Sequence, residues 1–329
     1  MYDVICVGSS TVDVFAKTKK SELIKIFDDE KETDLLAYPT GAKILVEELS
    51  ITTGGGGTNV AVSLARLGMK VAYLGCMGKG ANSDMVLSEL KAEKVNTKLV
   101  VMKKGETGYS IILDSLEHDR TILAYKGLNN NLSYSDINKK LINTKNFYFS
   151  AMMEESFRTM EKLAEYAIKN KIRVAFNASQ YLAEKGAEFL SKVLSATNIL
   201  VLNKEEAELI AGKGDIAYLA KRLHSLGPEY VVITDGTKGA FCLHDGILYE
   251  SGTSKKKALE TTGAGDAFAS TFFGILLMDN DIPMAMRLGT TNAESVISYH
   301  GAKNNLLSYK EAKSILKKRP IKVTQKRIS

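Results

Sequence analysis

Cysteine is scarce in this chain: 329 residues carry Cys6, Cys76 and Cys242 and no others. An odd, widely spaced set excludes a disulfide framework and a cysteine-based zinc site, and reads as three small buried hydrophobes in a reducing compartment. Long apolar stretches are also missing. No uninterrupted run approaches the ~18 residues of a membrane span, so no membrane contact is expected. Met1-Tyr-Asp-Val-Ile-Cys-Val-Gly8 runs straight into an apolar strand without a basic or long apolar leader, which points to a cytoplasmic location. The four histidines, His118, His224, His244 and His300, show no metal-ligand spacing and no HExxH. No GxxxxGK[ST] occurs, which excludes a P-loop site. The turn Gly8-Ser-Ser-Thr-Val-Asp13 lacks the GxGxxG of a dinucleotide fingerprint.

What is present is an ordinary globular composition, 45% hydrophobic and 25% charged, enough to bury the core of one α/β domain. The net charge of +6 is concentrated at one end. Residues 310–329 hold eight Lys/Arg against one Glu, so the rest is near neutral. This basic tail reads as a solvated, partly disordered terminus, and no nucleic-acid partner is expected. Apolar β-rich runs at Asp3–Val7, Val71–Gly75, Phe147–Ser150, Arg173–Asn177, Ile199–Leu202 and Val231–Thr234 alternate with helical patterns. The helices fall at Asn82–Glu93, Glu154–Asn170, Glu184–Leu194, Lys204–Ile210 and Ile216–Leu226. This alternation predicts a doubly wound parallel sheet with ligands beyond the carboxyl ends of its strands. Lys43–Thr52 and Lys98–Leu128 break the pattern and predict a small β lid, formed by about 39–53 and 98–128. Residues 19–38, charged and loosely patterned, read as an insertion.

Two glycine-rich turns carry the chemistry. Gly263-Ala-Gly265 precedes an apolar helical segment, Ala267–Met278. The N–H groups at a helix start, with the positive end of its dipole, receive anions, and small residues let an anion approach. Asp266 would sit in the first turn beside that anion, where a base for phosphoryl transfer to an alcohol is needed. Alone, such a GxGD reads rather as an ordinary loop with a helix-capping Asp. Gly54-Gly-Gly-Gly-Thr-Asn59 precedes a second helix, Val60–Leu67, and alone is equally a flexible loop with a helix cap. Four successive glycines, however, cost considerable conformational entropy. The pair together suggests an acceptor pocket and a phosphate pocket.

Gly54-Gly-x-Gly-x-Asn59 followed by Thr261-Thr-Gly-Ala-Gly-Asp266 resembles the signature pair of the ribokinase-like (PfkB) carbohydrate kinases. Asp13 matches that family's N-terminal substrate-binding Asp, Asn203-Lys-Glu-Glu206 its Asn-x-x-Glu, and Thr234-Asp-Gly-Thr-Lys-Gly239 its nucleotide turn. Tyr299-His-Gly-Ala302 fits its closing Gly-Ala segment. The motifs span nearly the whole chain in the family's order.

The resemblance implies a ribokinase-like fold: a doubly wound, mostly parallel sheet flanked by helices, with a small β-sheet lid, in a single kinase domain over residues 1–329. It implies transfer of the γ-phosphate of ATP to a sugar hydroxyl, with Asp266 as general base and Gly263, Ala264 and Gly265 as the anion hole. Asp13, Gly54, Gly55, Gly56, Asn59 and Glu154 would bind the acceptor, although Glu154 equally fits a helix cap. Asn203, Glu206, Thr234, Gly236, Thr237, Gly239, Thr262 and Gly265 would hold the nucleotide, with adenine near Thr290 and Asn292, although Thr234 to Gly239 alone fits a tight hairpin turn and Thr290 to Asn292 equally fits an interior helical face. Glu206 would bind Mg²⁺ through water, and Glu260 with Gly301 marks a K⁺ site. Asn203 and Glu206 also fit a capping box, and both roles are compatible. The expected assembly is a homodimer through the lid.

A nucleoside kinase of the same fold is the alternative. A non-catalytic sugar sensor would erode Asp266 or the glycine turn, and both are intact. Gly56 stands where ribokinases proper carry Lys. Its loss favours a neutral polyol-like acceptor over a sugar phosphate, unless Lys43, Arg120 or Lys126 of the lid supplies a cation.

Overall fold

The computed structural model describes residues 1–19, 21–28, 31–114, 120–253, 262–298 and 301–328. The chain begins with β1 (Val4–Val7), β2 (Thr11–Lys17), β3 (Glu22–Asp28), β4 (Lys31–Ala37) and β5 (Glu48–Gly54). Then come α1 (Gly56–Arg66), β6 (Val71–Leu74), β7 (Cys76–Met77), α2 (Ala81–Ala92), β8 (Val101–Met102), β9 (Gly108–Asp114) and β10 (Arg120–Tyr125). The middle alternates: β11 (Asn146–Ser150), α3 (Glu154–Asn170), β12 (Arg173–Asn177), α4 (Ser179–Ala183), α5 (Gly186–Ala196), β13 (Ile199–Asn203), α6 (Lys204–Ala211), α7 (Ile216–His224) and β14 (Tyr230–Thr234). β15 (Ala240–His244), β16 (Ile247–Ser251), α8 (Ala264–Asp279), α9 (Ile282–Val296), α10 (Tyr309–Lys318) and β17 (Val323–Arg327) complete it.

The main sheet runs β17-β16-β15-β14-β13-β12-β11-β1-β6. β6 through β14 pair in parallel, and the last three strands pair antiparallel. The parallel strands are apolar along their length because helices cover both faces. One face packs on α3, α5, α6 and α7, with Phe147, Phe149, Leu163, Phe176 and Leu190 buried between. The other packs on α1, α8 and α9, around Tyr73, Tyr148, Phe272 and Phe273. β1 lies between β6 and β11, so the chain winds one way from β1 and then the other. Gly8, Ser150, Asn177, Asn203 and Thr234 all stand at or just past the carboxyl ends of parallel strands, where such sheets bind ligands.

The lid is the sheet β10-β9-β2-β5. β5 spans Glu48–Gly54, β9 and β10 fall within Lys98–Leu128, and the inner strand β2 begins inside Gly8–Asp13, which the sequence reading took for a turn. β2 pairs antiparallel with β5 and parallel with β9, placing Asp13 opposite Thr52 and Ser110. Alternate residues face the main body: Thr11, Asp13, Ser110, Ile112, Ile122 and Ala124 line one cavity. Asn129 fixes the strand's start, accepting from Ser10 N–H at 2.9 Å and donating to its carbonyl at 2.8 Å.

Two further expectations change. Within residues 19–38, β3 and β4 form an antiparallel hairpin rather than a loosely patterned insertion. The basic tail is not a disordered end. α10 is capped by Ser308 and Glu311, and β17 pairs with β16 over Val323–Arg327. Positive charge on this strand fits its position at the sheet edge, where lysines discourage further pairing. Because β17 is hydrogen-bonded into the sheet, trypsin under native conditions should cut after Lys322 and Lys326 roughly tenfold or more slowly than in a free peptide of that sequence. Equal rates would contradict the assignment.

Candidate active site

Each glycine turn is shaped by a close approach. A Cβ on Gly54 would overlap the Asp13 carboxylate, and one on Gly55 (φ 95°) would lie 2.6 Å from the Ser9 carbonyl. That carbonyl accepts from Gly57 N–H (3.1 Å) and Thr58 N–H (3.3 Å), so it terminates α1 in place of a side-chain cap. Gly263 caps α8 with φ 81°, and a Cβ there would meet the Ala302 Cα at 2.5 Å. At Gly265 a Cβ would meet nothing within 4 Å, so space lies open beside the first turn of α8, which has no side-chain cap.

α1 and α8 lie side by side with both N-termini at this point. Asn59 Nδ2 donates to Asp266 Oδ2 at 2.8 Å. One turn on, Ser270 Oγ donates to Ser63 Oγ at 2.7 Å. One turn further, Gly274 sits against Leu64 and Leu67. Each step advances both helices by four residues, so they run parallel.

Two cavities meet at Asp266. One, about 320 Å³, is lined by Asp13, Gly55, Gly56, Asn59, Ser150 and Thr262 among others. The second, about 200 Å³, is lined by Asn203, Glu206, Thr234, Gly263 and Gly265. Asn177 and Asp266 belong to both. In the first, Asn59 Oδ1 and Ser150 Oγ are buried without a hydrogen-bond partner, leaving two polar atoms for a ligand's hydroxyls. In the second, Asn203 Oδ1 accepts from Glu206 N–H (2.8 Å) and Glu206 Oε2 accepts from Asn203 N–H (2.9 Å). The capping box is therefore real, and both residues still line the cavity.

Burial raises the Asp266 carboxyl from 3.8 to about 6, against the opposing pull of the Asn59 amide and the Lys303 ammonium. Burial, reinforced by Asp266, also pushes Glu206 upward, while the Asn203 N–H pulls the other way. The Tyr148 phenol, fully buried and without a hydrogen-bond partner, is pushed well up by burial and then by Asp266. Among the described residues, no cluster of three His, Cys, Asp or Glu forms a metal cage.

Several expected residues stand elsewhere. Glu154, at the exposed start of α3 with φ 53°, is not on the acceptor cavity wall; it opens a helix, the alternative its sequence allowed. Thr262 lines the first cavity, with Asp13 and Asn59, and not the second, with Asn203 and Glu206. Thr290 and Asn292 are buried in α9, and Asn292 is fully used: its amide donates to Thr271 Oγ1 (2.7 Å) and its carbonyl accepts from Leu307 N–H (2.9 Å). Thr291 between them lines a different cavity of about 380 Å³ with Asn305 and Ile321. Gly236 and Thr237 form an exposed turn after Thr234, closed by a bond from Asp235 N–H to the Gly239 carbonyl (2.8 Å). Ala264 stands in the first turn of α8 but on neither cavity wall. Glu260 and Thr261 lie outside the described residues, so only Gly301 of the expected K⁺ pair is placed, with φ 94°.

Lys303 was not legible beforehand. Only 4% exposed, its ammonium donates to Thr53 Oγ1 (2.7 Å), Thr58 Oγ1 (3.4 Å) and the Glu89 carboxylate. It ties the end of β5, the start of α1 and α2 to the loop that backs Gly263. No sequence motif marks it, because its partners lie far away along the chain.

With this geometry in place, comparison with known proteins gives the class. The profile of the pfkB family carbohydrate kinases matches residues 1–308. The chain belongs to this family, and is thus a phosphotransferase acting on an alcohol group. The ribokinase of Haemophilus influenzae is 27% identical over 284 residues, 84% of this chain and 91% of that protein. The Methanocaldococcus jannaschii nucleoside kinase has the same fold, with a TM-score of 0.80 at 21% identity over 97% of this chain and 99% of that one. So does Arabidopsis thaliana ribokinase complexed with ribose and ATP, with a TM-score of 0.80 at 17% identity over 96% and 99%.

A carboxyl raised on folding makes the protein's stability depend on pH. The unfolded Asp266 ionises near 4 and the folded one near 6, so stability falls as pH rises between these values and stays lower above them. Asp266→Asn removes this penalty. At pH 7.5 the variant should match or exceed the parent in urea denaturation, by about 1–3 kcal/mol after allowing for partial solvent access. The gain should vanish toward pH 4. A loss of stability at pH 7.5 would contradict the raised carboxyl.

Proposed function

We propose that this kinase transfers the γ-phosphate of ATP to a hydroxyl of a sugar or sugar derivative, with Asp266 as general base. The observation that carries the reading is Asp266's position on the walls of both cavities. An acceptor hydroxyl bound by Asp13, Asn59 and Ser150 would meet Asp266 Oδ1 while Asn59 holds Oδ2. The phosphates would occupy the open side of Gly265, facing the N–H groups of Gly263, Ala264 and Gly265. Those donors are preorganised for charge developing on the transferred group. A carboxyl near 6 is ionised at neutral pH yet basic enough to accept the proton.

Glu206 and Asn203 fit a Mg²⁺ held chiefly by phosphate oxygens and water. When bound, the ion neutralises phosphate charge. Thr234 would border the triphosphate, with the Gly236-Thr237 turn and Gly239 beyond it. The adenine falls on this reading toward the cavity of Thr291, not against Thr290 and Asn292.

A sugar is favoured over a nucleoside. At about 320 Å³ the acceptor cavity lies at the small end of ligand sites. Its one described aromatic, Tyr181, has a ring face covered by the Lys126 ammonium at 4.3 Å. Among the described residues lining this cavity, no second aromatic stands by to sandwich a base. The free, buried cysteines fit a reducing cytoplasm, and no helix of the described residues is long and apolar enough to cross a membrane.

The outer face of the lid suits pairing with a second copy. Leu49 (64% exposed), Ile51 (51%) and Leu123 (53%) lie together on it, away from the cavity. Leu123→Asp should convert a dimer to a monomer in sedimentation velocity; an unchanged sedimentation coefficient would argue against this face.

The direct test of function is ADP release with Mg²⁺-ATP against sugars, sugar derivatives and nucleosides. Asp266→Asn should leave nucleotide affinity nearly intact and lower kcat by ~10²-fold or more. Parent turnover should rise with pH through about 6 as Asp266 ionises. A folded variant with near-parent kcat would overturn the base assignment.

A further inference from the structure

The acceptor cavity contains a cation that the proposed phosphate transfer leaves unused. Lys126 follows β10 and is half-buried on the cavity wall. Its ammonium lies 4.3 Å from the centre of the Tyr181 ring. Among the described residues no carboxylate pairs with it, and burial alone pushes it below its ordinary value. A ring face attracts an ammonium without neutralising it and leaves its N–H donors free. Of the other lid cations considered from sequence, Lys43 is exposed and off this wall, and the Arg120 side chain lies outside the described residues.

A second group on the same wall lacks a partner. Ser179 is held in the left-handed region at φ 53°, its hydroxyl buried without a hydrogen bond. Non-glycine residues enter that region at a cost of about 1–3 kcal/mol and tend to do so where a site demands it. Lys126 and Ser179 therefore present an unpaired cation and an unpaired hydroxyl to one small cavity. Asp13, Asn59 and Ser150 present the hydroxyl-binding groups from other elements of the same wall.

We propose that the acceptor carries an oxyanion, a carboxylate or phosphate, which Lys126 and Ser179 hold while its hydroxyls face Asp13, Asn59 and Asp266. This rests on the acceptor cavity assigned above and names the substrate class it takes. It reverses the expectation drawn from Gly56: the cation missing from the glycine turn is supplied by the lid. A desolvated ammonium costs free energy when empty and recovers it when an anion enters, so the subsite discriminates against neutral sugars of the same size. Lys126 is then a specificity-determining residue and takes no part in the proton transfer.

The test is calorimetric affinity, without nucleotide, for D-glucose, D-gluconate and D-glucose 6-phosphate, and for D-fructose and D-fructose 6-phosphate. At least one anionic member should bind roughly tenfold or more tightly than its neutral parent; whether this is gluconate or a phosphate identifies the anion. Lys126→Met should bring that ratio close to one, and Lys126→Arg should keep most of it. Neutral sugars binding as tightly as every anionic partner, or a ratio unchanged in Lys126→Met, would overturn the proposal. Because affinity is read without ATP, the result is independent of phosphate transfer, and ADP release from the same panel tests the kinase reading separately.

Discussion

The parallel packing of α1 against α8 is the constraint on which the site depends. Parallel neighbouring helices bring the positive ends of two dipoles together, which is unfavourable unless negative charge lies between them. Here the Asp266 carboxylate lies at that junction and accepts from Asn59. The Ser63–Ser270 bond and the fit of Gly274 under Leu64 and Leu67 fix the register one and two turns away. A slip of one turn would separate Asn59 from Asp266 and draw the two cavities apart. The same convergence of N–H groups that makes an unliganded junction costly is what the proposed phosphate site uses.

The glycines serve this junction individually. Gly54 leaves room for Asp13, Gly55 turns the chain into α1 against Ser9 and Ser10, and Gly263 seats α8 on Ala302. Behind them the buried Lys303 connects Thr53, Thr58 and Glu89. Strand β5, the glycine turn and the loop behind Gly263 thereby share one cation. The charge of that cation also helps keep Asp266 ionised.

Much of this was written locally in the sequence. Strands of the parallel sheet announce themselves as apolar runs, and both glycine turns stand directly before apolar helical segments. Asp13, Asn59, Asn203, Glu206, Gly263, Gly265 and Asp266 line the two cavities that meet at Asp266. What was missed depends on distant partners. β2 looked like a turn because its pairing with β5 and β9 has no local signature. β17 looked like a solvated tail because an edge strand carries the charge of one. Glu154 resembled a ligand and is a helix start. Asn292, read from sequence as near an adenine pocket or equally as part of an interior helical face, has its polar atoms taken by Thr271 and Leu307, and Thr290 is buried beside it. Lys126 and Lys303 acquire meaning only from the cavity wall and the buried network they join.

The central claim is that phosphate lies at the start of α8 and meets the acceptor across Asp266. The most direct measurement is a crystal structure of the protein with Mg²⁺ and a non-hydrolysable ATP analogue. The account requires the terminal phosphate within hydrogen-bond reach of the Gly263–Gly265 N–H groups, in the cavity of Asn203 and Glu206, with the acceptor cavity left open beyond Asp266. Triphosphate bound in the Asp13–Asn59 cavity, or away from the α8 N-terminus, would contradict it.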